Sequence, residues 1–572
     1  MTATATTQVP SSIDNRLPAS LAQQGIWVTE STVDTRTGYH LALSLRFDGD
    51  LDVPALLAAC GAVLDRHPIL GLAVTERDGE IGFVPAAEAP VATQTRVRAE
   101  DLDELVRRAV VLPFDRCAGP LIRFTLVTVE PHGYLLLVVA HHLVFDGMSK
   151  DVLLTDLAAS YTRFSGAADV AGAPVAPGGE PLAAYSAQVA GERRAVEASR
   201  GEAAEFWRTR WHEPDRPVLP VLPGLVGDGP VGPAPGVAVT DALDATARHR
   251  LAGTAEALGV TVFELLLAAL HGMLWRYGNA EPVVSVDLNT RTPDTAGHVG
   301  LFVNELPVTV RPAGPMSLAE LAAATRTELR ALYRFRSVPL GYAVGGLRPR
   351  AALTPISLSY RRRTDAPTFP GVRGTVDWAV FAGTARNALH VQVVDAPDGM
   401  AIALHVDPTR IAPDAAARIL RDLRAVLDTA PDTALDRLSV APVPPSGTAT
   451  GPGAGPGADG PDPATPREAK PAADAEVPAE LVAQVRAIWE QVLRIDDIEP
   501  DEDLFDLGGH SLTLMQINAR IRKRLGVDLP IDVYFDTPTV AGVAAAVARL
   551  GGTANAAGTA ESAGTAKPAQ EE

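Results

Sequence analysis

Between Val443 and Ala475 the chain reads VPPSGTATGPGAGPGADGPDPATPREAKPAADA, dense in Pro, Gly and Ala and without apolar periodicity. Such a stretch buries too little apolar surface to offset the entropy of ordering it, so no single core extends across it. The chain is therefore expected to fold as a large N-terminal body and a small C-terminal one joined by a tether. Treated as coil, that tether reaches roughly 30 Å. A length of 572 residues predicts about three or four compact units at roughly 150 residues each.

Composition narrows the classes. With 47% hydrophobic and 21% charged residues, the chain is globular rather than disordered or fibrous. A formal charge of -19 argues against a nucleic-acid partner, because phosphate binding needs clustered Lys and Arg. The two cysteines, Cys60 and Cys117, have no CxxC spacing, so neither a disulfide framework nor a zinc site is expected, and a reducing, cytoplasmic setting is. The start, MTATATTQVPSSIDNR, lacks a signal-peptide pattern. The most apolar segment, VFELLLAALHGMLW from Val262 to Trp275, is too short for a bilayer and contains Glu264 and His271. It reads as a buried helix, and no membrane is expected.

Periodicity gives two αβ halves. In the first, Ser20 with Gln23 predicts a capped helix running into Ile26 and Trp27. YHLALSLRFDG alternates as a strand, and a helix containing Leu56, Cys60 and Leu64 is stopped by Pro68. Two apolar runs, Leu121 to Val129 and Tyr134 to Ala140, flank the turn residues Glu130 to Gly133 and predict a hairpin. The second run does not alternate, as expected of a strand covered on both faces. After a Pro/Gly-rich loop near residues 170 to 182, the same grammar resumes from about Val239. The strand PVVSVDLN leads to GLFVNELPVTVR, and a later strand pair, ALHVQVVDAP and MAIALHVD, precedes a helix. This predicts a pseudo-duplicated structure with a cleft between its halves. Beyond the tether, ELVAQVRAIWEQVLRI, SLTLMQINARIRKRLG and VAGVAAAVARL are each amphipathic helices.

Two short stretches carry chemistry. In AHHLVFDGMSK, His141 and His142 point to opposite faces of a strand end, so one can be a base and the other a packing residue. Asp146 can turn back towards that base, and Gly147 allows a conformation or an approach that a Cβ would block. The alternatives are two histidines that merely cap a strand, and a metal site, which adjacent residues on opposite faces serve poorly. In DLGGHSLTLMQ, Ser511 stands at the first turn of a helix with its hydroxyl expected to be exposed. An N-cap serine accounts for the position, but not for Gly508-Gly509-His510 before it. An exposed serine on a small tethered unit suits a covalently carried substrate.

Together these stretches, with SLAQQGIW, RHPIL, NTRT and GLFVNELPVTVR, resemble the condensation domain of nonribosomal peptide synthetases followed by their peptidyl carrier (thiolation) domain. The resemblance implies an α/β fold of two chloramphenicol-acetyltransferase-like lobes forming a V with a central tunnel, plus a C-terminal four-helix-bundle carrier domain. It places a condensation domain at 15–442 (N-lobe about 15–185, C-lobe about 186–442), a linker at 443–475, a carrier at 476–550 and a disordered tail at 551–572. It implies that His142 is catalytic beside His141 and Gly147, that Asp146 is structural and paired with Arg291, and that Ser511 carries 4'-phosphopantetheine. The implied reaction joins a carrier-bound acyl or peptidyl thioester to the amine of an aminoacyl acceptor. The implied partners are an upstream donor carrier, an adenylation enzyme acting in trans, since no such region reads here, and a phosphopantetheinyl transferase. Ester formation onto a hydroxyl and a non-catalytic docking platform for tailoring enzymes are the alternatives. The chain departs from the family pattern at Gly25, usually arginine, at LAAYSAQ, and at Pro339-Leu340-Gly341. These changes bear on donor subclass and substrate and leave the HHLVFDG loop intact.

Overall fold

Leu135 to Ala140 are all buried, and their two sides enter two different cores. Leu136, Val138 and Ala140 pack with Leu56, Val63, Leu153 and Leu157 of the helices Val53–Arg66 and Ser149–Phe164. Leu135, Leu137 and Val139 pack with Leu102 and Val110 of the helix Leu102–Val110. Covering on both faces is why this strand lacks alternation. It lies at the centre of a five-stranded sheet ordered Val372–Asp377, His40–Gly49, Tyr134–His141, Ile122–Glu130, Ala92–Arg98. The expected hairpin is its antiparallel pair Ile122–Glu130 and Tyr134–His141.

The computed structural model describes residues 16–166, 182–211, 219–227, 232–363, 366–443 and 477–561. The tether and the loop near residues 170 to 182 therefore fall almost wholly outside the described residues. Two compact units emerge, one taking in residues up to Val440 apart from Val344–Arg348, the other beginning at Ala441.

The second half of the first unit carries a six-stranded sheet ordered Val303–Thr309, Val283–Asn289, Ile356–Arg362, Leu389–Ala396, Gly399–Val406, Val237–Asp244. Its two faces differ. One presents Val284, Val286, Leu306, Val308, Leu358, Val391 and Leu404, all buried. Helices Ala245–Ala257, Leu318–Tyr333 and Pro413–Leu427 contact this sheet, and all three also pack against or beside Val262–Tyr277. The register sets Asp287 opposite Glu305, Ser285 beside Ser357, Ser357 beside His390 and His390 opposite His405. By strand alternation these residues, with Arg361, make the other face polar.

Local signals behave as read. The Ser20 hydroxyl accepts from the Gln23 N–H at 3.2 Å and the Gln23 side chain accepts from the Ser20 N–H at 2.7 Å. Thr261 and Glu264 form a second capping box, and Gly278, at φ 117°, ends that helix. The apolar helix Val262–Tyr277 is buried in the lobe. Among the described residues no single helix is long and apolar enough to cross a membrane.

Two boundaries differ from expectation. The strand Val372–Asp377, from the second half, pairs antiparallel with His40–Gly49 in the first, so the lobes do not separate cleanly near residue 185. An edge strand with free N–H and C=O groups gains a partner from this crossover. In the second unit, helices Ala479–Leu493, Ser511–Leu525, Val533–Asp536 and Val540–Glu561 surround Trp489, Leu504, Ile517, Tyr534 and Val543. The last helix continues past the tail boundary expected at 551, to Glu561; residues 562–572 lie outside the described ones.

Candidate active site

The strand Tyr134–His141 delivers the loop His142 to Gly147 against Arg291, Phe302 and Arg361 of the second half, and the two histidines part as alternation requires. His141 turns inward. Its Nδ1 accepts from the Leu143 N–H at 3.2 Å, so its proton is on Nε2, which lies 3.3 Å from Glu30 Oε1. Glu30 is held in turn by Arg116 at 3.2 Å. The Leu143 carbonyl accepts from Gln23 Nε2 at 2.7 Å, and the His142 N–H donates to the Tyr39 carbonyl at 2.8 Å. The single turn His142–Val144 is thus pinned from three sides.

His142 faces the other way and is half-buried. Its Nδ1 is 2.8 Å from the Phe145 carbonyl. A carbonyl only accepts, so Nδ1 carries the hydrogen and Nε2 carries a lone pair. Among the described residues nothing hydrogen-bonds Nε2. Burial pushes the imidazole down to about 4, with Asp146 opposing and Arg386 and Arg361 adding to the depression. His142 is therefore neutral at pH 7, an acceptor that holds a proton only briefly.

Asp146 is satisfied on every side. Arg291 Nη1 forms a hydrogen-bonded ion pair with it, the Ser149 N–H donates at 2.7 Å, the Ser149 hydroxyl lies at 2.9 Å and the Phe302 N–H donates at 3.0 Å. Burial alone would raise its pKa; Arg291 and the Ser149 bonds outweigh it and hold the carboxyl below its usual range. Arg291 comes from the second half, also donates to the His298 carbonyl at 2.9 Å, and lies over the Phe302 ring at 4.4 Å. Gly147 serves by leaving room: a Cβ there would sit 1.7 Å from Arg361 Cζ. The structure thus brings His142, Asp146, Gly147 and Arg291 together and puts His141 behind the loop.

Residues that the sequence alone did not flag complete the site. Tyr39 lies edge-on to His142, ring centroids 6.3 Å apart, with the Arg386 guanidinium 5.1 Å from its ring centroid. Lys150 is buried and donates to the Ala42 and Trp378 carbonyls, each at 2.6 Å, tying the crossover segment to the first sheet. Arg363 pairs with Asp151 and lies over the Trp378 ring at 4.0 Å. Gln23 showed itself only as a cap partner, and nothing local marks Glu30, Arg361 or Arg386.

In the second unit Ser511 opens the helix Ser511–Leu525; its side chain, and with it the expected exposure of the hydroxyl, lies outside the described ones. Gly508 adopts φ 84°, and a Cβ at Gly509 would meet the Leu504 carbonyl oxygen at 2.6 Å. The first intrahelical bond runs from the Leu514 N–H to the His510 carbonyl at 3.1 Å. The preceding helical N–H groups have no intrahelical carbonyl to bond and suit a phosphodiester. The serine, the glycine turn and this helix start fit a phosphopantetheine attachment site.

Residues 13–358 match the family model for the condensation domain. The chain belongs to the condensation-domain family. Residues 483–547 match the phosphopantetheine attachment site, making the whole a nonribosomal peptide synthetase condensation domain joined to a carrier domain. The phosphinothricin tripeptide synthetase PhsC of Streptomyces viridochromogenes is 31% identical over 363 residues, 60% of this chain and 32% of that protein. Malpinin synthetase of Mortierella alpina is 27% identical over 353 residues, 59% of this chain and 4% of that protein. The chain thus spans a third or less of the length of these relatives. Among solved structures, the X-domain from teicoplanin biosynthesis is 25% identical with a TM-score of 0.61, covering 75% of this chain and 99% of that one. The first condensation domain of the calcium-dependent antibiotic synthetase superposes with a TM-score of 0.62 at 18% identity, over 74% and 99% of the two chains. The condensation fold, with its two chloramphenicol-acetyltransferase-like lobes, is shared with both.

Proposed function

We propose that the chain is an acyltransferase that forms an amide between a carrier-bound acyl or peptidyl thioester and the amine of an aminoacyl acceptor, with His142 as the catalytic residue. One observation carries this reading: the Nε2 of His142, unprotonated and without a hydrogen-bond partner among the described residues, on a loop braced from the second half by Arg291. Nε2 accepts a hydrogen bond from the acceptor amine and turns its lone pair towards the thioester carbon. The C–N bond forms and the C–S bond breaks; the proton lost by the ammonium ends on the departing thiolate. A depressed imidazole serves this as an orienting acceptor and brief proton carrier, since an amine near pKa 8 needs no strong base. The Asp146–Arg291 pair fixes the loop, and His141 with Glu30 backs it.

Within this reading the condensation domain occupies 15–442, the linker 443–475 and the carrier 476–550. Ser511 holds 4'-phosphopantetheine, added by a separate phosphopantetheinyl transferase. That arm supplies a thiol on which acceptors are presented. An upstream donor carrier and an adenylation enzyme acting in trans provide the substrates. Two unpaired cysteines, Cys60 and Cys117, fit a cytoplasmic setting. A second reading, a docking platform, is favoured by the likeness to the teicoplanin X-domain, which forms a complex with OxyB. Incubation with coenzyme A and a broad-range transferase, then with aminoacyl loading and a donor thioester, separates the two. Amide product on the intact protein supports the enzyme; a pantetheine mass gain at Ser511 with no product on any donor supports the platform.

A further inference from the structure

Tyr39 holds His142 twice. Its carbonyl accepts the His142 N–H at 2.8 Å, and its ring stands edge-on to the imidazole with centroids 6.3 Å apart. The ring is buried, and what it leans on comes from the second half. The Arg386 guanidinium lies 5.1 Å from the ring centre. The Arg386 stem runs against Gly38, where a Cβ would stand 2.8 Å from its Cγ and Cδ. Hydrogen bonds next to this contact join the same two segments: the Thr37 hydroxyl donates to the Ala382 carbonyl at 2.7 Å and lies 2.6 Å from the Thr384 hydroxyl. Thr37, Gly38 and Tyr39 thus meet Ala382, Thr384 and Arg386 along one seam between the halves.

The ion pair that Arg386 makes is a loose one. Glu305 stands 3.5 Å away and also accepts from the Ser285 hydroxyl at 2.6 Å, so the guanidinium is only partly neutralised. The charged groups acting on His142 are Asp146 of its own loop and Arg386 and Arg361 of the second half, and the Tyr39 phenol beside it is kept neutral by burial. Glu30 and Arg116 stand behind the loop with His141. Arg361 is balanced by Asp287 and Asp146. Arg386 is the cation that also braces a ring lying against the imidazole. A positive charge at that place opposes a lasting proton on His142 and leaves the lone pair of Nε2 available. We propose that Arg386 is a positioning residue for acyl transfer: from the second half it holds Tyr39 against His142, and its guanidinium keeps Nε2 open to the acceptor amine. The proposal rests on reading His142 as the group that receives that amine.

NMR on the full chain with nitrogen-15-labelled histidine tests this without donor or acceptor, so its result is independent of whether amide forms. His142 is assigned by its loss in His142→Ala, and its protonated fraction is read from the averaged ring-nitrogen shifts between about pH 7.5 and 5.5. In wild type the neutral form with the hydrogen on Nδ1 is expected to dominate throughout. Arg386→Gln is expected to raise the protonated fraction at about pH 5.5 roughly three-fold or more, a shift of about half a pH unit. Arg386→Lys, which keeps the charge, is expected to stay near wild type. Glu305→Gln separates charge from loosening: removing a negative charge lowers the fraction, whereas an opened seam raises it. Each variant is checked for an unchanged thermal unfolding profile, and Arg386→Met, which keeps the apolar stem, replaces Arg386→Gln if that variant does not fold. In single-turnover acyl transfer Arg386→Gln is expected to be several-fold slower, with Arg386→Lys recovering most of the rate. Absence of amide from wild type would remove the acyl-transfer reading and leave the NMR result to stand by itself. An unchanged His142 in folded Arg386→Gln, or an equal rise in Arg386→Lys and Glu305→Gln, overturns the proposal.

Discussion

Asp146 and Arg291, 145 residues apart in sequence, meet as a buried ion pair with side chains only 2% and 3% exposed. The pair stitches the histidine loop of one lobe to the second lobe beside the strand Val303–Thr309. Ser149, Phe302 and His298 engage the carboxylate and the second guanidinium nitrogen, while Arg291 Nε is buried with no hydrogen-bond partner among the described residues.

Arg291→Ala leaves the Asp146 carboxylate buried without its counter-charge. The expected cost is about 3–5 kcal/mol, read as a lower urea midpoint, with loss of acyl transfer at temperatures where the variant is still folded. Asp146→Asn keeps a single acceptor oxygen, so it cannot serve both the Ser149 N–H on one side and the Phe302 N–H and Arg291 on the other, and a comparable loss is expected.

Gly147→Ala puts a methyl where Arg361 Cζ now lies. The guanidinium must move, at a cost of about 1–3 kcal/mol, and the loop moves with it. A crystal structure of the variant should show Arg361 displaced; an unmoved Arg361 with full activity would rule out the space-keeping role of this glycine.

Glu30 acts on His142 only through His141 and the Leu143 N–H, which makes it a positioning residue. Glu30→Ala is expected to lower kcat several-fold with KM unchanged, and Glu30→Gln, which keeps an acceptor for His141 Nε2, to recover most of it. Equal loss in both variants would point to the charge rather than the brace.

Acid should weaken the fold in a defined window. Burial holds His40, His142 and His405 down to about 4, and depresses His271 and His390 as well. An unfolded histidine binds its proton near 6.5, so between pH 6.5 and 4 the unfolded chain takes up protons that the folded one refuses. Stability from His40, His142 and His405 is fully present above 6.5, falls as pH drops to about 4, and is flat below; His271 and His390 act in the same direction. Asp287, raised to about 6, and Glu192, raised to about 7, act in the opposite sense but are fewer. Urea midpoints from pH 7 to 4.5 should therefore fall, and fall less steeply in His40→Gln.

What the sequence disclosed was local. The unalternating run Leu135 to Ala140, the Ser20–Gln23 cap and the hairpin at Glu130 to Gly133 each depend on neighbours within a few residues, and each reads correctly. The HHLVFDG loop and the GGHS turn were legible because their spacing is short. The Asp146–Arg291 pairing came only through resemblance, since no local rule links residues so far apart. The crossover strand Val372–Asp377 was missed because VRGTVD is short and alternates weakly, and its partner lies in the other half. Likewise ISLSYRR shows a polar side, but which side meets His142 follows only once Ser285 is seen beside Ser357. Glu30 gives no signal at all, being one carboxylate near the end of one helix.

The central claim is that the free Nε2 of His142 takes part in acyl transfer. Single-turnover quench with Ser511 loaded with an aminoacyl-pantetheine and a donor thioester tests it most directly, comparing wild type with His142→Ala by intact-protein mass. A drop in the amide-forming rate of about 100-fold or more, with loading of Ser511 unchanged, is the predicted result. Product from His142→Ala as fast as from wild type would contradict it.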